Sequence, residues 1–264
     1  MDWHAKMSKA LRVASEAARE TGNWVLKELP DLRAGEISEK GPRDFVTRLD
    51  KGAEKMLMDR ILKEFSGDAI LSEETPGAIP TADEFWVMDP IDGTNNLIHR
   101  YPRWCVGIAY FAGGRPEIAA VFDPIHGELF TCKRDEGVWL NGAPVSVSTV
   151  ADIGKAYVVS GLPAKCRDDL PAWLAGFGRV SQAVMTTRKS GSAILDLAYV
   201  ACGRFDGYWE PRLSPWDMAA GSLLVEVAGG LVTDDAGKPW TLSAPGILAA
   251  NADLHPQLLK LIAP

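Results

Sequence analysis

The stretch that most constrains this chain is Phe85-Trp86-Val87-Met88-Asp89-Pro90-Ile91-Asp92-Gly93-Thr94-Asn95-Asn96, an apolar run ending in two carboxylates three positions apart. The apolar residues suit a buried strand. Pro90 has no N–H and is expected to end the hydrogen-bond ladder there. The Gly-Thr-Asn turn that follows offers free backbone N–H groups to an anion. Asp89 and Asp92 then stand where a strand meets a loop, which reads as a metal site beside a phosphate cradle. Asp, Pro, Gly and Asn also build ordinary surface turns, so the stretch carries chemistry only if other parts of the chain join it.

With 264 residues and 47% hydrophobic content, the chain can bury a full core, as one large domain or two closely packed halves. A net charge of −7 disfavours direct nucleic-acid binding or an anionic-membrane surface, since both reward a basic patch. Cys105, Cys132, Cys166 and Cys202 show no CxxC spacing and have apolar neighbours, which predicts small buried thiols in a reducing compartment. His4, His99, His126 and His255 are scattered and form no zinc pair. The first residues lack the apolar core of a secretion signal, and no apolar run approaches the roughly 18 residues of a membrane span. A soluble cytoplasmic protein is expected.

Helical spacing of apolar residues from about Ser8 to Leu29, with Pro30 as a stop, predicts a long opening helix. A second amphipathic helix is expected over Asp50 to Phe65, with Ala53, Leu57, Ile61 and Phe65 on one stripe. Short apolar runs then recur at Ala69–Ser72, Phe85–Met88, Trp104–Phe111, Ile118–Phe122 and Glu128–Cys132, with Asn141-Gly142 as a tight turn. Residues 1–145 are thus expected to form an α+β subdomain of two helices and a largely antiparallel sheet. From residue 146 to 264 strands and helices alternate, as an α/β subdomain. The expected order is strand Ala156–Ser160, a helix near Asp168–Ala175, strand Ala183–Thr186, helix Gly191–Ala201 and strand Phe205–Trp209. Helix Ser214–Val227, strands Leu231–Thr233 and Ile247–Ala250, and a last helix from about Leu254 follow.

Further carboxylates fall where elements end. Glu73-Glu74 follows the run Ala69–Ser72, Glu210 ends the Phe205–Trp209 strand, and Asp217 lies in the first turn of the Ser214 helix. Taken singly, Asp217 could be a capping partner of Ser214 and Glu73-Glu74 a solvated strand end. Converging without Lys or Arg, however, these groups would repel unless a cation stood among them. An all-oxygen ligand set selects a hard ion, Mg²⁺ before Mn²⁺ or Ca²⁺. No GxSxG elbow, Walker GxxxxGK[ST] or GxGxxG is present, which weighs against serine-hydrolase, P-loop and Rossmann chemistry.

Assembled in order, the motifs Leu71-Ser72-Glu73-Glu74, Trp86 to Asn96, and Pro215-Trp216-Asp217-Met218-Ala219-Ala220-Gly221 resemble those of the inositol monophosphatase family. These are Mg²⁺-dependent, lithium-sensitive phosphatases. Asp44-Phe45-Val46-Thr47-Arg48-Leu49-Asp50 is similar to the family's D-x-V-T-x-x-D, and Gly191-Ser192-Ala193 followed by Leu195 to Tyr199 adds a fifth match. The segment Trp209-Glu210-Pro211-Arg212-Leu213-Ser214-Pro215-Trp216-Asp217 is similar to the W-E-x-x-L-x-P-W-D of the inositol monophosphatases themselves.

The resemblance implies a layered αβαβα sandwich, an α/β (α+β) sugar-phosphatase fold of two packed subdomains, and a homodimer. It implies that Glu73, Asp89 and the Ile91 carbonyl hold one Mg²⁺, that Asp89, Asp92 and Asp217 hold a second, and that a third, weaker ion leans on Glu73 through water. Asp50 and Thr94 would orient and deprotonate the attacking water, Gly93 and Thr94 would present N–H groups to the phosphate, and Asp92, Ala193 and Glu210 would meet the substrate hydroxyls. The implied activity is hydrolysis of inositol monophosphate by a two- or three-metal mechanism with an activated water. Fructose 1,6-bisphosphate or another small phosphate ester is the alternative substrate, and an interaction protein in a bacterial transcription complex the alternative role. The chain departs from many relatives at Leu97 and Arg100, where Arg100 either reaches a second anionic group or is solvated. Lys40 and Arg43 lie near the family's basic metal-loop residue at a shifted spacing, so neither receives a role.

Overall fold

A computed structural model describes residues 2–263. The opening helix α1 (Trp3–Glu28) is followed by a small hairpin of β1 (Ile37–Gly41) and β2 (Asp44–Thr47), then by α2 (Arg48–Glu64). The sequence reading missed the hairpin, because β1 is polar and mostly exposed and leaves no apolar alternation to detect, and β2 is only four residues long. Next come β3 (Ala69–Ser72), β4 (Glu84–Asp92), the short helix α3 (Thr94–Ile98), β5 (Cys105–Ala112), β6 (Arg115–Asp123), β7 (Glu128–Lys133), β8 (Gly137–Leu140) and β9 (Ala143–Pro144). These seven strands form one sheet in chain order, antiparallel throughout except for the parallel pair β3 and β4, with Asn141-Gly142 as the turn between β8 and β9.

The remaining elements are β10 (Tyr157–Ser160), α4 (Leu170–Ala183), β11 (Thr186–Arg188), α5 (Ala193–Ala201), β12 (Gly207–Pro211), α6 (Pro215–Val227), β13 (Leu231–Thr233), β14 (Gly246–Ala250) and α7 (His255–Ile262). Their sheet has the order β11-β10-β12-β14-β13, parallel among the first three strands and antiparallel in the last two pairings.

Two expectations need correction here. The strand expected at Ala183–Thr186 begins only at Thr186, and the preceding helix runs on to Ala183, well past the Ala175 expected. The reason is a helical stripe of Trp173, Phe177, Val180 and Val184, with the first two rings stacked at 4.8 Å and both valines buried. The strand expected to stop at Trp209 continues through Pro211, so Glu210 lies inside β12 and pairs with Ile247.

The layering follows from strand alternation. On β4, Trp86 and Met88 face α1 and α2 together with Val106, Ile108 and Tyr110 of β5, whereas Phe85 and Val87 face α5 and α6 with Cys105, Ala109 and Phe111. Both faces of the large sheet are therefore buried, which is why its central strands read as unbroken apolar runs. The second sheet covers the other side of α5 and α6 through Val159, Tyr208, Ile247 and Ala249, and α4 and α7 close its outer face over Val158, Trp209 and Leu248. The result is an αβαβα sandwich, with α5 and α6 buried on nearly every side as its central layer. Trp86 anchors the first interface, edge-on to Phe65 at 5.3 Å and tilted on Tyr110 at 4.6 Å. Its replacement by Ala would cost about 3–5 kcal/mol.

Candidate active site

A cleft of about 510 Å³ opens where the carboxyl ends of β3, β4, β10 and β12 meet the amino ends of α3, α5 and α6. Open α/β sheets favour this edge for ligands, because strands deliver side chains there and helix ends leave N–H groups free. Glu73, Asp89, Ile91, Asp92, Gly93, Thr94, Ala193, Glu210 and Asp217 all line it.

How Asp89 and Asp92 come to share one face is a matter of strand count. In a regular strand, residues three apart point to opposite sides. Here Asp89 pairs with Gly107 and Asp92 with Cys105, so three steps on β4 oppose two on β5. The extra residue is a bulge at Pro90-Ile91 that turns Asp92 back to the side of Asp89, while Ile91 packs toward α1 and α2 with Val25, Leu49 and Trp104. The expectation that Pro90 ends the ladder is thus corrected: the strand bends there and continues to Asp92.

Each carboxylate has a distinct hold. Among the described residues, Asp89 Oδ1 accepts only the Ile91 N–H, at 3.0 Å. Asp92 Oδ2 accepts the Ser192 hydroxyl at 2.6 Å and the Ile194 N–H at 2.7 Å, tying the end of β4 to the first turn of α5. Asp217 Oδ2 accepts the Ser214 N–H at 2.7 Å, so it is a capping partner and a cleft residue at once. Lys40 reaches in from β1 to Glu73 Oε1 at 3.0 Å and Glu74 Oε1 at 2.7 Å, a contact the sequence reading left unassigned.

Burial pushes the Asp89 carboxyl well above its usual range, and the charges of Glu73, Asp92 and Asp217 push it further. Asp217 is raised by burial and by the charges of Glu73, Asp92 and Glu210. Asp92, also buried, is raised only to about 6, because its hydrogen bonds from Ser192 and Ile194 favour the ionised form. Glu74 is raised by burial and by Glu73 to about 7 despite Lys40. Among the described residues no three His, Cys, Asp or Glu side chains are already gathered as a ligand set, which accords with Glu73 being drawn toward Lys40. The donor chemistry nonetheless fits a hard divalent cation: buried carboxylates that repel one another, an adjoining backbone carbonyl at Ile91, and no His or Cys ligand among them.

Asp50 does not line the cleft. Its Oδ2 accepts the N–H and hydroxyl of Thr47, at 2.7 and 2.6 Å, as the capping box of α2. Its Oδ1 accepts the Thr94 hydroxyl at 2.8 Å, so Asp50 touches the cleft through Thr94 alone. Gly93 holds φ 100°, and a Cβ there would sit 2.9 Å from the Arg103 carbonyl, so the turn into α3 requires glycine. Arg100 is exposed, as the solvated reading expects, and its guanidinium also donates to the carbonyls of Leu29 and Leu32, fixing the segment after α1. Arg43 lines the cleft mouth.

Fold and site together define a class, the layered αβαβα phosphatases with a carboxylate cleft between two sheets. A profile described as the inositol monophosphatase family matches residues 6–264, and the chain belongs to that family. It is 42% identical over 246 residues to a Salmonella typhimurium protein named Nus factor SuhB, covering 93% of this chain and 92% of that one. The crystal structure of extragenic suppressor protein suhB from Bartonella henselae superimposes with a TM-score of 0.90 at 33% identity, covering 96% and 98% of the two chains. Inositol monophosphatase from Anabaena gives 0.87 at 34% identity, covering 97% and 96%.

Proposed function

We propose that this chain is a Mg²⁺-dependent phosphomonoesterase acting on inositol monophosphate. The observation that carries the reading is the set of buried carboxylates at Asp89, Asp92 and Asp217, without cationic partners among the described residues, beside the Thr94–Asp50 pair. Glu73, Asp89 and the Ile91 carbonyl would hold one Mg²⁺ and Asp89, Asp92 and Asp217 another, with Glu73 supporting a weaker third. When bound, these ions supply Lewis-acid stabilisation of phosphoryl charge and a more acidic water. The chain's own groups do the rest. The N–H groups of Gly93 and Thr94 cradle the phosphate oxygens. Thr94, already donating to Asp50 Oδ1, orients the attacking water and takes its proton as Asp50 takes the threonine's. Asp92, the Ala193 N–H and Glu210 receive the polyol hydroxyls.

We further propose that residues 1–145 and 146–264 act as one unit and that the unit assembles as a homodimer. In support of the first point, the second half contributes Ala193, Glu210 and Asp217 to a cleft whose other acidic groups come from the first. The test of activity is phosphate release from inositol monophosphate, fructose 1,6-bisphosphate and other sugar phosphates, with and without Mg²⁺. Turnover should need Mg²⁺ and be inhibited by Li⁺; turnover that persists in EDTA would overturn the reading. The relatives named Nus factor SuhB support a second reading, an interaction protein in a bacterial transcription complex. A pull-down comparing the wild type with Asp217→Asn separates partner binding from catalysis.

A further inference from the structure

Glu210 is a buried carboxylate bounded by two residues, Tyr208 and Gly161, that no catalytic role assigned above requires. Tyr208, two residues earlier on β12 and so on the same face, is completely buried and donates its hydroxyl to Glu210 Oε2 at 2.8 Å. From the other side the carboxylate lies against Gly161, immediately after β10, where an added Cβ would stand 1.8 Å from Oε2 and 2.4 Å from Oε1. A side chain at position 161 and the carboxylate in its present place are therefore mutually exclusive.

We infer that Tyr208 and Gly161 are positioning residues that set the cleft's selectivity for polyol phosphates by fixing the Glu210 carboxylate. The inference rests on the polyol-binding role proposed for Glu210. With one oxygen held by Tyr208, the carboxylate keeps acceptor capacity for a ligand hydroxyl and cannot swing away. The fixed carboxylate then favours a ligand with hydroxyl donors over one without, because an empty acceptor in a buried wall is costly to leave unpaired. Gly161 carries no unusual φ, and the three nearest atoms an alanine would meet all belong to the end of the Glu210 side chain rather than to backbone. Gly161→Ala should thus fold normally while displacing the carboxylate.

The experiment measures kcat and KM on myo-inositol 1-phosphate and on p-nitrophenyl phosphate, which has no hydroxyl for Glu210 to bind. Wild type, Tyr208→Phe, Gly161→Ala, Glu210→Ala and the two double variants with Glu210→Ala are compared. Tyr208→Phe should raise KM for the inositol ester about threefold to tenfold, the worth of one hydrogen bond. It should leave kcat and the aryl ester within twofold. Gly161→Ala should do the same or more, and neither change should add anything once Glu210 is Ala. An equal loss on both esters, or an effect that survives in the Glu210→Ala background, would overturn the inference. If the wild type hydrolyses neither ester, the phosphatase reading fails instead. Calorimetric Kd values for myo-inositol 1-phosphate with Ca²⁺ then decide the inference: weaker binding by both variants supports it, and unchanged or absent binding overturns it.

Discussion

Asp89 and Asp196 are both 1% exposed, yet they live in opposite electrical surroundings. Asp196, on α5, accepts Arg103 at 2.7 Å and Ser190 at 2.5 Å, and the Arg103 guanidinium in turn stacks 4.2 Å from the Tyr199 ring. Burial raises its carboxyl, but Arg103 and Ser190 limit the rise to about 6. Asp89 has one backbone N–H and three acidic neighbours. Burial alone therefore does not single out a candidate ligand; in Asp89 it is joined by acidic neighbours and a place in the cleft. Arg103 and Asp196 lock α5 against the loop before β5, while Asp89 keeps a charge deficit that a cation can fill.

The largest effect expected from breaking this contrast is at Asp89. Asp89→Asn should lower Mg²⁺-dependent kcat/KM on inositol monophosphate by about 10³-fold or more. In divalent-free buffer it should leave stability unchanged or raise it by about 0.5–2 kcal/mol, since a repelling charge is gone. Enzyme assays and urea titration check both halves. The opposite behaviour is expected of Asp196→Ala. Removing one member of a buried pair should cost about 3–5 kcal/mol of stability, read by the same titration, with kcat reduced far less than by Asp89→Asn.

A third prediction uses pH. Folding raises the Glu210 carboxyl from 4.5 to about 8, so the folded state binds this proton more tightly than the unfolded chain does. The associated stability is full below about 4.5 and is lost as pH rises through about 8. Melting temperatures of the metal-free protein should therefore fall across that window, and Glu210→Gln should flatten the decline. A wild-type slope identical to the variant's would show that Glu210 contributes nothing to it. The smallest effect concerns Arg100. Arg100→Ala should cost about 1 kcal/mol through lost hydrogen bonds to the Leu29 and Leu32 carbonyls. Its KM values for mono- and bisphosphates should match those of the wild type, because the guanidinium reads no substrate.

Much of this was legible in the residues. The apolar runs located the central strands because both faces of the large sheet are buried, and Ser214 as N-cap with Pro215 at the first position located α6. The motif residues from Glu73 to Asp217 do line one cleft, although their spacing alone could not say how they are held. What escaped were features decided by distant contacts. Lys40 meets Glu73 across 33 positions, and Asp92 meets Ile194 across 102. The strand that carries Lys40 has too little buried surface to imprint a period. Tyr208 is an intermediate case: its spacing from Glu210 places both on one face of a strand, but only the fold shows that the phenol reaches the carboxylate.

The bulge in β4 makes the site a question of parity. Along a strand, odd and even positions belong to different compartments, here the helical layer of α1 and α2 and the central layer that holds the cleft. One supernumerary residue between Asp89 and Asp92 changes an odd interval into an even one, and a carboxylate that would have been driven into hydrocarbon becomes the partner of α5. Gain or loss of a single residue at this point of a relative would act as a digital switch, leaving the sheet able to form and the chemistry either present or absent, with no graded intermediate for selection to refine.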